Sequence, residues 1–233
     1  LAGAAAVLLS GWYIATAVVA GHGWFDTRHG QVPWLPIAAA GSLGTLLALS
    51  RIPVVARALT APGMAGRLVL PHAFRATGVF FLLYLAFGHL PALFALPAGL
   101  GDIAAGIAAP LVALRLAQGT GRRAAMWFNV YGLIDLSTGI TLGALTGYGL
   151  LHVTPSSAPI SQLPLALVIA ADVPLMIALH ITSLVTLARA ARPAPPAADP
   201  MTPPPAMQNG TRPPQAARYR DNRAAGSSAA RRR

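Results

Sequence analysis

Long apolar runs separated by short polar segments fill the first 189 residues of the chain. The six runs cover residues 1–20, 34–58, 76–88, 97–118, 124–151 and 163–187. A helix rises about 1.5 Å per residue, so roughly 20 apolar residues cross a hydrocarbon core of ~30 Å. We therefore predict an all-α, polytopic membrane protein with about six transmembrane helices in a bundle over residues 1–189. The first run has no basic leader before it, so we interpret it as a span and not as a cleaved signal peptide.

The character of the sequence changes after Arg189. Residues 190–233 are rich in Pro, Ala and Arg, contain almost no large apolar side chains and end in Arg-Arg-Arg. A segment with so little apolar surface cannot offset the entropy lost when its backbone is ordered. We predict a disordered basic tail in the cytoplasm, whose arginines contact anionic lipid headgroups.

Prolines mark the places where we expect helices to break. Pro91 and Pro97 flank a short apolar stretch at residues 90–98, which we interpret as a hairpin loop at the membrane surface, with a re-entrant turn as the alternative. Pro110 and Pro174 lie inside the fourth and sixth runs. Each leaves the carbonyl four residues earlier without its usual donor, so both spans are predicted to combine an acid with an unpaired carbonyl.

The arginines are distributed unevenly between alternate loops. Four lie between the second and third runs, three between the fourth and fifth, and nine from Arg189 onward. The loops after the first, third and fifth runs contain only Arg28. All 17 basic residues are Arg and all 6 acids are Asp, which indicates the coding bias of a GC-rich bacterial genome. Because cytoplasmic loops carry an excess of Arg and Lys, we predict an inner-membrane protein with both termini in the cytoplasm.

Composition supports the membrane assignment and excludes several kinds of chemistry. Hydrophobic residues make up 55% of the chain and charged residues only 10%, against about 25% charged in a typical soluble domain. The net charge of +11 comes from arginines between the apolar runs and in the tail, which indicates topology and not nucleic-acid binding. The chain contains no Cys, which excludes disulfides, thiolate metal sites and a cysteine nucleophile.

Two acids within the apolar runs are the strongest candidates for function. Asp102 lies in Gly-Leu-Gly-Asp-Ile-Ala-Ala-Gly and Asp135 in Gly-Leu-Ile-Asp-Leu-Ser-Thr-Gly, so each acid precedes a glycine by four residues. At about 100° per residue, the acid and that glycine share one helix face. A charge at the bilayer centre costs roughly 2.5–3.5 kcal/mol, so an intramembrane Asp indicates a functional site. The repeat is either an inverted two-helix unit or a coincidence in an Ala-, Gly- and Leu-rich chain.

Other polar residues in or beside the apolar runs extend this candidate set; they are His89, Asn129, Asp172 and His180. Helical rise places Asp135 and Asp172 near the midplane, where we expect no basic partner, since Arg75 lies nearer the cytoplasm. His89 is expected at the outer face and His180 toward the cytoplasm. We therefore predict that Asp135 and Asp172 face a shared polar interior and that at least one of them exchanges protons.

A stripe of glycines at spacing four follows Asp135 on the same helix face. The stripe consists of Gly139, Gly143 and Gly147. Small residues at this spacing are typical of helix contacts in membranes, because they let two backbones approach closely. We predict that this face packs against a neighbouring helix and not against lipid.

Three functions are compatible with these features. The first is a small transporter or channel-like protein, coupled to protons or another cation through the intramembrane acids. The second is a non-catalytic membrane subunit or scaffold, in which protonated Asp side chains simply hydrogen-bond across helices. The third is a redox protein with haem held by His180 and either His72 or His89. We rank them in this order, because a lone His on a span is more often a packing residue.

The sequence favours a protein that is not an enzyme. It contains no Ser-His-Asp order, phosphate-binding glycine loop or His-Glu-x-x-His helix. A hydrolase that uses Asp102 and Asp135 as a dyad is disfavoured by the different depths estimated for the two acids. We therefore expect no catalytic residues, no metal site and no cofactor. The expected partners are the lipid bilayer and either a second copy or another membrane subunit, with no nucleic acid.

Overall fold

Every element in the described part of the chain is a helix. The computed structural model describes residues 2–26 and 32–190. The all-α prediction is confirmed for these residues. The disordered tail, predicted for residues 190–233, falls outside the described residues except for Ala190.

The helices follow one another in simple order. They are α1 (Ala2–Gly21), α2 (Trp34–Ser50), α3 (Pro53–Leu59), α4 (Met64–Val69), α5 (Val79–Ala86), α6 (Ala92–Ala117), α7 (Arg122–Gly147), α8 (Leu165–Leu167) and α9 (Val173–Ala190). A 3-10 helix, Leu70–Gly78, joins α4 to α5. A second 3-10 helix, Ala158–Ser161, precedes α8, and a π-helix, Val168–Asp172, joins α8 to α9.

Several helices are long and apolar enough to span a membrane. Within the described residues, three stretches meet both conditions: Met64–Ala86, Ala92–Ala117 and Leu165–Ala190. Helices α2 and α3 add a fourth if the bent pair counts as one span. The predicted number of six is therefore not confirmed. Helix α7 is as long as α6, but its Asn, Asp, Ser, Thr and Gly residues lower its hydropathy. In α1 only the stretch Ala6–Gly21 counts as an apolar helix, and it is too short to meet the length condition.

The second predicted span is broken near its C-terminal end. Residues 34–58 were expected to form one helix, but α2 and α3 meet at an angle of 86°. Ile52 has extended backbone angles, with φ −61° and ψ 129°. The break follows from Pro53, because a proline disfavours helical angles in the residue before it.

The third apolar helix begins earlier than predicted. The segment before residue 76 was expected to be an interrupted linker, but helical backbone is continuous from Met64 to Ala86. Gly63 precedes this helix with a positive φ of 76°, so it separates α3 from α4 without interrupting either helix. Gly66 packs against α6, where an added Cβ would lie 3.2 Å from the Ala113 carbonyl oxygen. Gly66 therefore allows this helix to pack closely against α6. The stretch that carries Arg75 is part of the helix bundle and not of a linker.

The hairpin predicted at residues 90–98 is wrong. Helix α6 begins at Ala92, directly after Pro91, and continues through both Pro97 and Pro110. Pro91 has an extended conformation with ψ 142°, so it ends the preceding loop. Pro97 removes the backbone hydrogen bond to Leu93 and Pro110 the one to Gly106, and neither loss ends the helix.

The last long helix contains a widened turn where the sequence indicated a break. The π-helix Val168–Asp172 lies immediately before Val173 and Pro174. Since Pro174 has no N–H for the carbonyl of Ala170, the backbone rearranges there into a wider turn. This turn holds Asp172.

Helix α6 lies at the centre of the packing, with the 3-10 helix Leu70–Gly78, α5 and α7 against it. Glycines allow the backbones to approach closely. A Cβ added at Gly106 would overlap with the backbone of Ala76, and one at Gly99 would lie 3.0 Å from the Gly78 carbonyl oxygen. This close approach places the 3-10 helix, and with it Arg75, against the face of α6 that carries Asp102.

Candidate functional site

Arg75 is the centre of a buried polar cluster. It belongs to the 3-10 helix Leu70–Gly78 and is only 2% exposed. A buried guanidinium must be paired, because it remains charged and carries five N–H donors. Its partners come from three other helices, α6, α7 and α9.

Two carboxylates share this single guanidinium. Arg75 Nε and Nη2 each lie 2.7 Å from Asp102 Oδ1, and Nη2 also donates to Asp135 Oδ2. The two acids singled out in the Gly-Leu-x-Asp repeat therefore meet at one cation. The expectation that Asp135 has no basic partner is wrong, because the segment carrying Arg75 is packed against α6 and does not lie in a cytoplasmic linker.

The glycines of the repeat make room for this arrangement. A Cβ at Gly101 would overlap with the carboxylate of Asp135, and a Cβ at Gly132 would overlap with the imidazole of His180. Gly78, on the 3-10 helix, similarly faces the Cβ of Asp102. Each close approach requires the absence of a side chain, so these glycines determine the spacing of the cluster.

His180 connects the guanidinium to a hydrogen-bonded chain on the other side. Its Nε2 lies 3.3 Å from Arg75 Nη1, and its Nδ1 lies 2.9 Å from Asn129 Oδ1. Arginine has no acceptor, so Nε2 accepts from Arg75 and Nδ1 donates its proton to Asn129. The Asn129 amide nitrogen donates to Ala125 O at 2.7 Å and to Ser183 Oγ at 3.0 Å. This chain requires a neutral imidazole and fixes its tautomer.

His72 lies beside this chain without a hydrogen bond of its own. Its ring stacks on His180, with centroids 3.8 Å apart and planes 20° from parallel, and meets Phe128 edge-on at 5.6 Å. His72 is fully buried, and neither ring nitrogen has a hydrogen-bond partner. The ring of His72 is therefore held by its contacts with the rings of His180 and Phe128.

The stacking geometry does not fit haem ligation by His72 and His180. Two axial ligands must point their nitrogens at one iron from opposite sides of the porphyrin plane. Here the two rings lie face to face, and both nitrogens of His180 are already engaged with Arg75 and Asn129. His89 is exposed and packs edge-on against Tyr84, with ring centroids 6.0 Å apart.

Asp172 has a different partner from Asp135. The Tyr13 hydroxyl on α1 donates to Asp172 Oδ1 at 3.3 Å, while Asp135 is bonded to Arg75. The two acids therefore have separate hydrogen-bond partners, Arg75 for Asp135 and Tyr13 for Asp172. Tyr13 could not be recognised beforehand, since a Tyr in an Ala-rich span gives no sign of which helix it will meet.

A small cavity borders the two carboxylates. Its volume is about 20 Å³, and its walls are otherwise mainly apolar. One water needs roughly 10–15 Å³ of such space and several polar partners. Asp102 and Asp135 supply these partners, so the cavity suits a single water molecule or a group of similar size.

The glycine stripe lies one to three turns beyond Asp135. A Cβ at Gly143 would lie 3.1 Å from Ile160 Cδ1 and 3.2 Å from Phe94 Cε2. A Cβ at Gly139 would lie 3.7 Å from Ala98 Cβ, and a Cβ at Gly147 would lie 3.7 Å from the backbone of Ser157. Both distances are ordinary van der Waals contacts. Of the three, Gly143 is the position where packing is tight.

The part of the chain that carries Arg75 and its partners matches a known protein family. Residues 32–188 match DUF8737, described as a domain of unknown function. No curated protein and no solved structure matches the chain. The matched range covers more than half of the chain and includes the buried Arg75 and its partners, whereas Tyr13 lies before it. The chain therefore belongs to the DUF8737 family.

Proposed function

We propose that the protein is a proton-coupled small transporter, with Asp102 and Asp135 as its proton-exchange site. The observation that supports this most directly is the sharing of one buried guanidinium by two carboxylates. Arg75 carries one positive charge at any physiological pH. The cluster therefore has a net charge of −1 when both acids are ionised and is neutral when one of them is protonated.

The cost of burying charge favours the neutral form of this cluster. An uncompensated charge near the bilayer centre costs roughly 2.5–3.5 kcal/mol, which one added proton avoids. Protonation of either acid leaves the other still paired with Arg75. Each carboxylate uses one oxygen for Arg75, so its second oxygen is the place where a proton binds.

The neighbouring groups favour a proton over a metal cation at this site. A metal cation such as Mg²⁺ needs about six oxygen ligands. Each carboxylate here has one oxygen engaged by Arg75, and the rest of the adjoining cavity is lined by apolar residues. His180 and Asn129 hold the guanidinium from the other side through neutral hydrogen bonds. They act as positioning residues, because they keep Arg75 directed at the carboxylates.

The proposed arrangement in the membrane has six crossings. Helices α1 and α7 cross in addition to the four apolar candidates, with α3 lying along the cytoplasmic surface after the 86° bend. Both termini then lie in the cytoplasm of a bacterium, on the same side as the arginine-rich loops.

Proton flux in proteoliposomes tests this function. The purified protein is reconstituted around a pH-sensitive dye, and the decay of an imposed pH gradient is followed with valinomycin present. We expect faster decay than in protein-free vesicles, and a loss of at least tenfold in the added rate for Asp102→Asn and Asp135→Asn. Thr138→Val, on the exposed face of α7, is the matched control and should retain the wild-type rate.

The outcome separates this function from a purely structural one. The close packing of the cluster favours a scaffold subunit as the second candidate, since several glycines face its side chains and the adjoining cavity is only about 20 Å³. In that case the only role of the ion cluster is to hold the helices in their packed arrangement. If the pH gradient decays no faster with folded wild-type protein than in protein-free vesicles, the scaffold function is the better account.

A further inference from the structure

An apolar groove runs along the outside of the helix bundle. It lies between α2, α7 and α9 and has a volume of about 240 Å³. On α2 its wall is formed by Pro36, Ala39, Ala40 and Leu43, which share one helix face. On α7 it extends from Gly139 to Tyr148, about 14 Å at the rise of a helix.

This groove adjoins the small cavity beside the two carboxylates. The two spaces share the lining residues Gly139, Ile140, Ile169 and Val173. Gly139 presents no side chain, so the wall between them is thin at that point. The groove therefore approaches the cavity of Asp102 and Asp135 most closely at its Gly139 end.

The charge at that end specifies the polar group of the occupant. The cluster of Arg75 and two ionised acids carries a net charge of −1, and the carboxylates retain some exposure, 15% for Asp102 and 11% for Asp135. A positively charged group with N–H donors complements both features. The cavity of about 20 Å³ has room for a group the size of a water molecule. A primary ammonium group has about this size.

We infer that the groove binds a lipophilic primary amine from the membrane, with its apolar body along α7 and its ammonium group at Asp102 and Asp135. The inference rests on the proposed function and names the class of its substrate. The ammonium and the exchanged proton neutralise the same negative charge, so binding of one releases the other. Protons moving down their gradient would thereby drive the amine in the opposite direction, whereas without amine the site passes protons alone.

Binding of radiolabelled decylamine to the protein in lipid nanodiscs tests this inference. Scintillation proximity counts only the amine held by the protein, and nanodiscs without protein give the background from partitioning into lipid. We expect saturable binding that an excess of unlabelled decylamine displaces. Decanol has the same chain without the charge and should displace at least tenfold less effectively.

Two matched variants locate the site. Ala40→Phe places a ring in the groove at an exposed position of α2 and should weaken decylamine binding at least tenfold. Ala48→Phe makes the same change at an exposed position of α2 that lies outside the groove, and it should bind like wild type. Absence of saturable binding, equal displacement by decanol, or full binding by Ala40→Phe would each overturn the inference.

The same variants distinguish this inference from the proposed function. Ala40→Phe leaves the carboxylates untouched, so we expect wild-type proton flux from it in vesicles without amine. Proton flux that depends on Asp135, together with no decylamine binding, would refute the substrate class alone. No proton flux in the wild type would refute the transporter itself, whatever the groove binds.

Discussion

Replacing Arg75 by methionine should destabilise the protein more than any other arginine substitution in the described residues. Methionine keeps the unbranched, apolar part of the side chain and removes its charge and all of its donors. Asp102, Asp135 and His180 would then lose the group that donates to them. The change leaves two buried carboxylates without a counter-charge.

The size of this effect follows from the burial of the three groups. Arg75 and its two acids have side-chain exposures of 1%, 15% and 11%, so solvent screens the ion pairs only weakly. Removing one partner of a buried ion pair typically costs about 3–5 kcal/mol. At roughly 1.4 kcal/mol per factor of ten, this lowers the ratio of folded to unfolded protein by about two to four orders of magnitude.

Unfolding in mixed detergent micelles measures this difference. The free energy of unfolding is obtained from equilibrium denaturation of the wild type, Arg75→Met and the control Arg67→Met. Arg67 lies in the same continuous helix but is exposed, so its replacement should change stability by less than about 0.5 kcal/mol.

A triple variant shows whether the loss comes from the unpaired charges. Arg75→Met combined with Asp102→Asn and Asp135→Asn removes the cation and both anions together. We expect it to recover most of the stability, because replacing a complete buried ion cluster by neutral groups is often close to neutral. Equal stability of Arg75→Met and Arg67→Met would refute the reasoning, as would a triple variant no more stable than Arg75→Met.

Three further predictions concern packing and topology. Gly132→Ala should lower the melting temperature in detergent, because its Cβ would displace His180, whereas Gly41→Ala, which has nothing within 4 Å, should not. Gly143→Leu should be more destabilising than Gly41→Leu, since even a Cβ at residue 143 is tightly enclosed; equal stability of these two variants would show that the stripe faces lipid. A reporter that is active only outside the cytoplasm should be inactive when fused after Arg189, and activity there would reverse the proposed topology.

The apolar pattern predicts helices well and their ends less well. Helices α6 and α7 were expected from their apolar runs, because that pattern depends only on local sequence. The start of α6 was misplaced because a proline does not always end a long apolar helix, and α6 continues through both Pro97 and Pro110. The helix from Met64 was missed because Pro62, Gly63 and Gly66 together are typical of a loop, although Gly66 serves packing against α6.

The acids of the candidate site could be found from the sequence, but their cation could not. Asp102 and Asp135 stand out because a charge within an apolar run is costly. Arg75 was assigned to a cytoplasmic loop by the same arginine pattern that predicts topology. One sign was available: His72 and Arg75 are three residues apart, on one face of a helix that runs directly into the apolar stretch after residue 78. Which face meets α6 depends on glycine contacts between distant segments, and a single sequence does not contain that information.

Infrared spectroscopy of the purified protein tests the central claim, that the cluster of Arg75, Asp102 and Asp135 holds one exchangeable proton. A protonated carboxyl group absorbs at higher frequency than a carboxylate, and its band shifts in D2O. We predict that Asp172→Asn, which removes the carboxyl group bonded to Tyr13, shows a carboxylic acid band at neutral pH. Adding either Asp102→Asn or Asp135→Asn to this variant should remove the band, because Arg75 is then paired with one ionised acid. A band in this region that neither substitution alters would contradict the account.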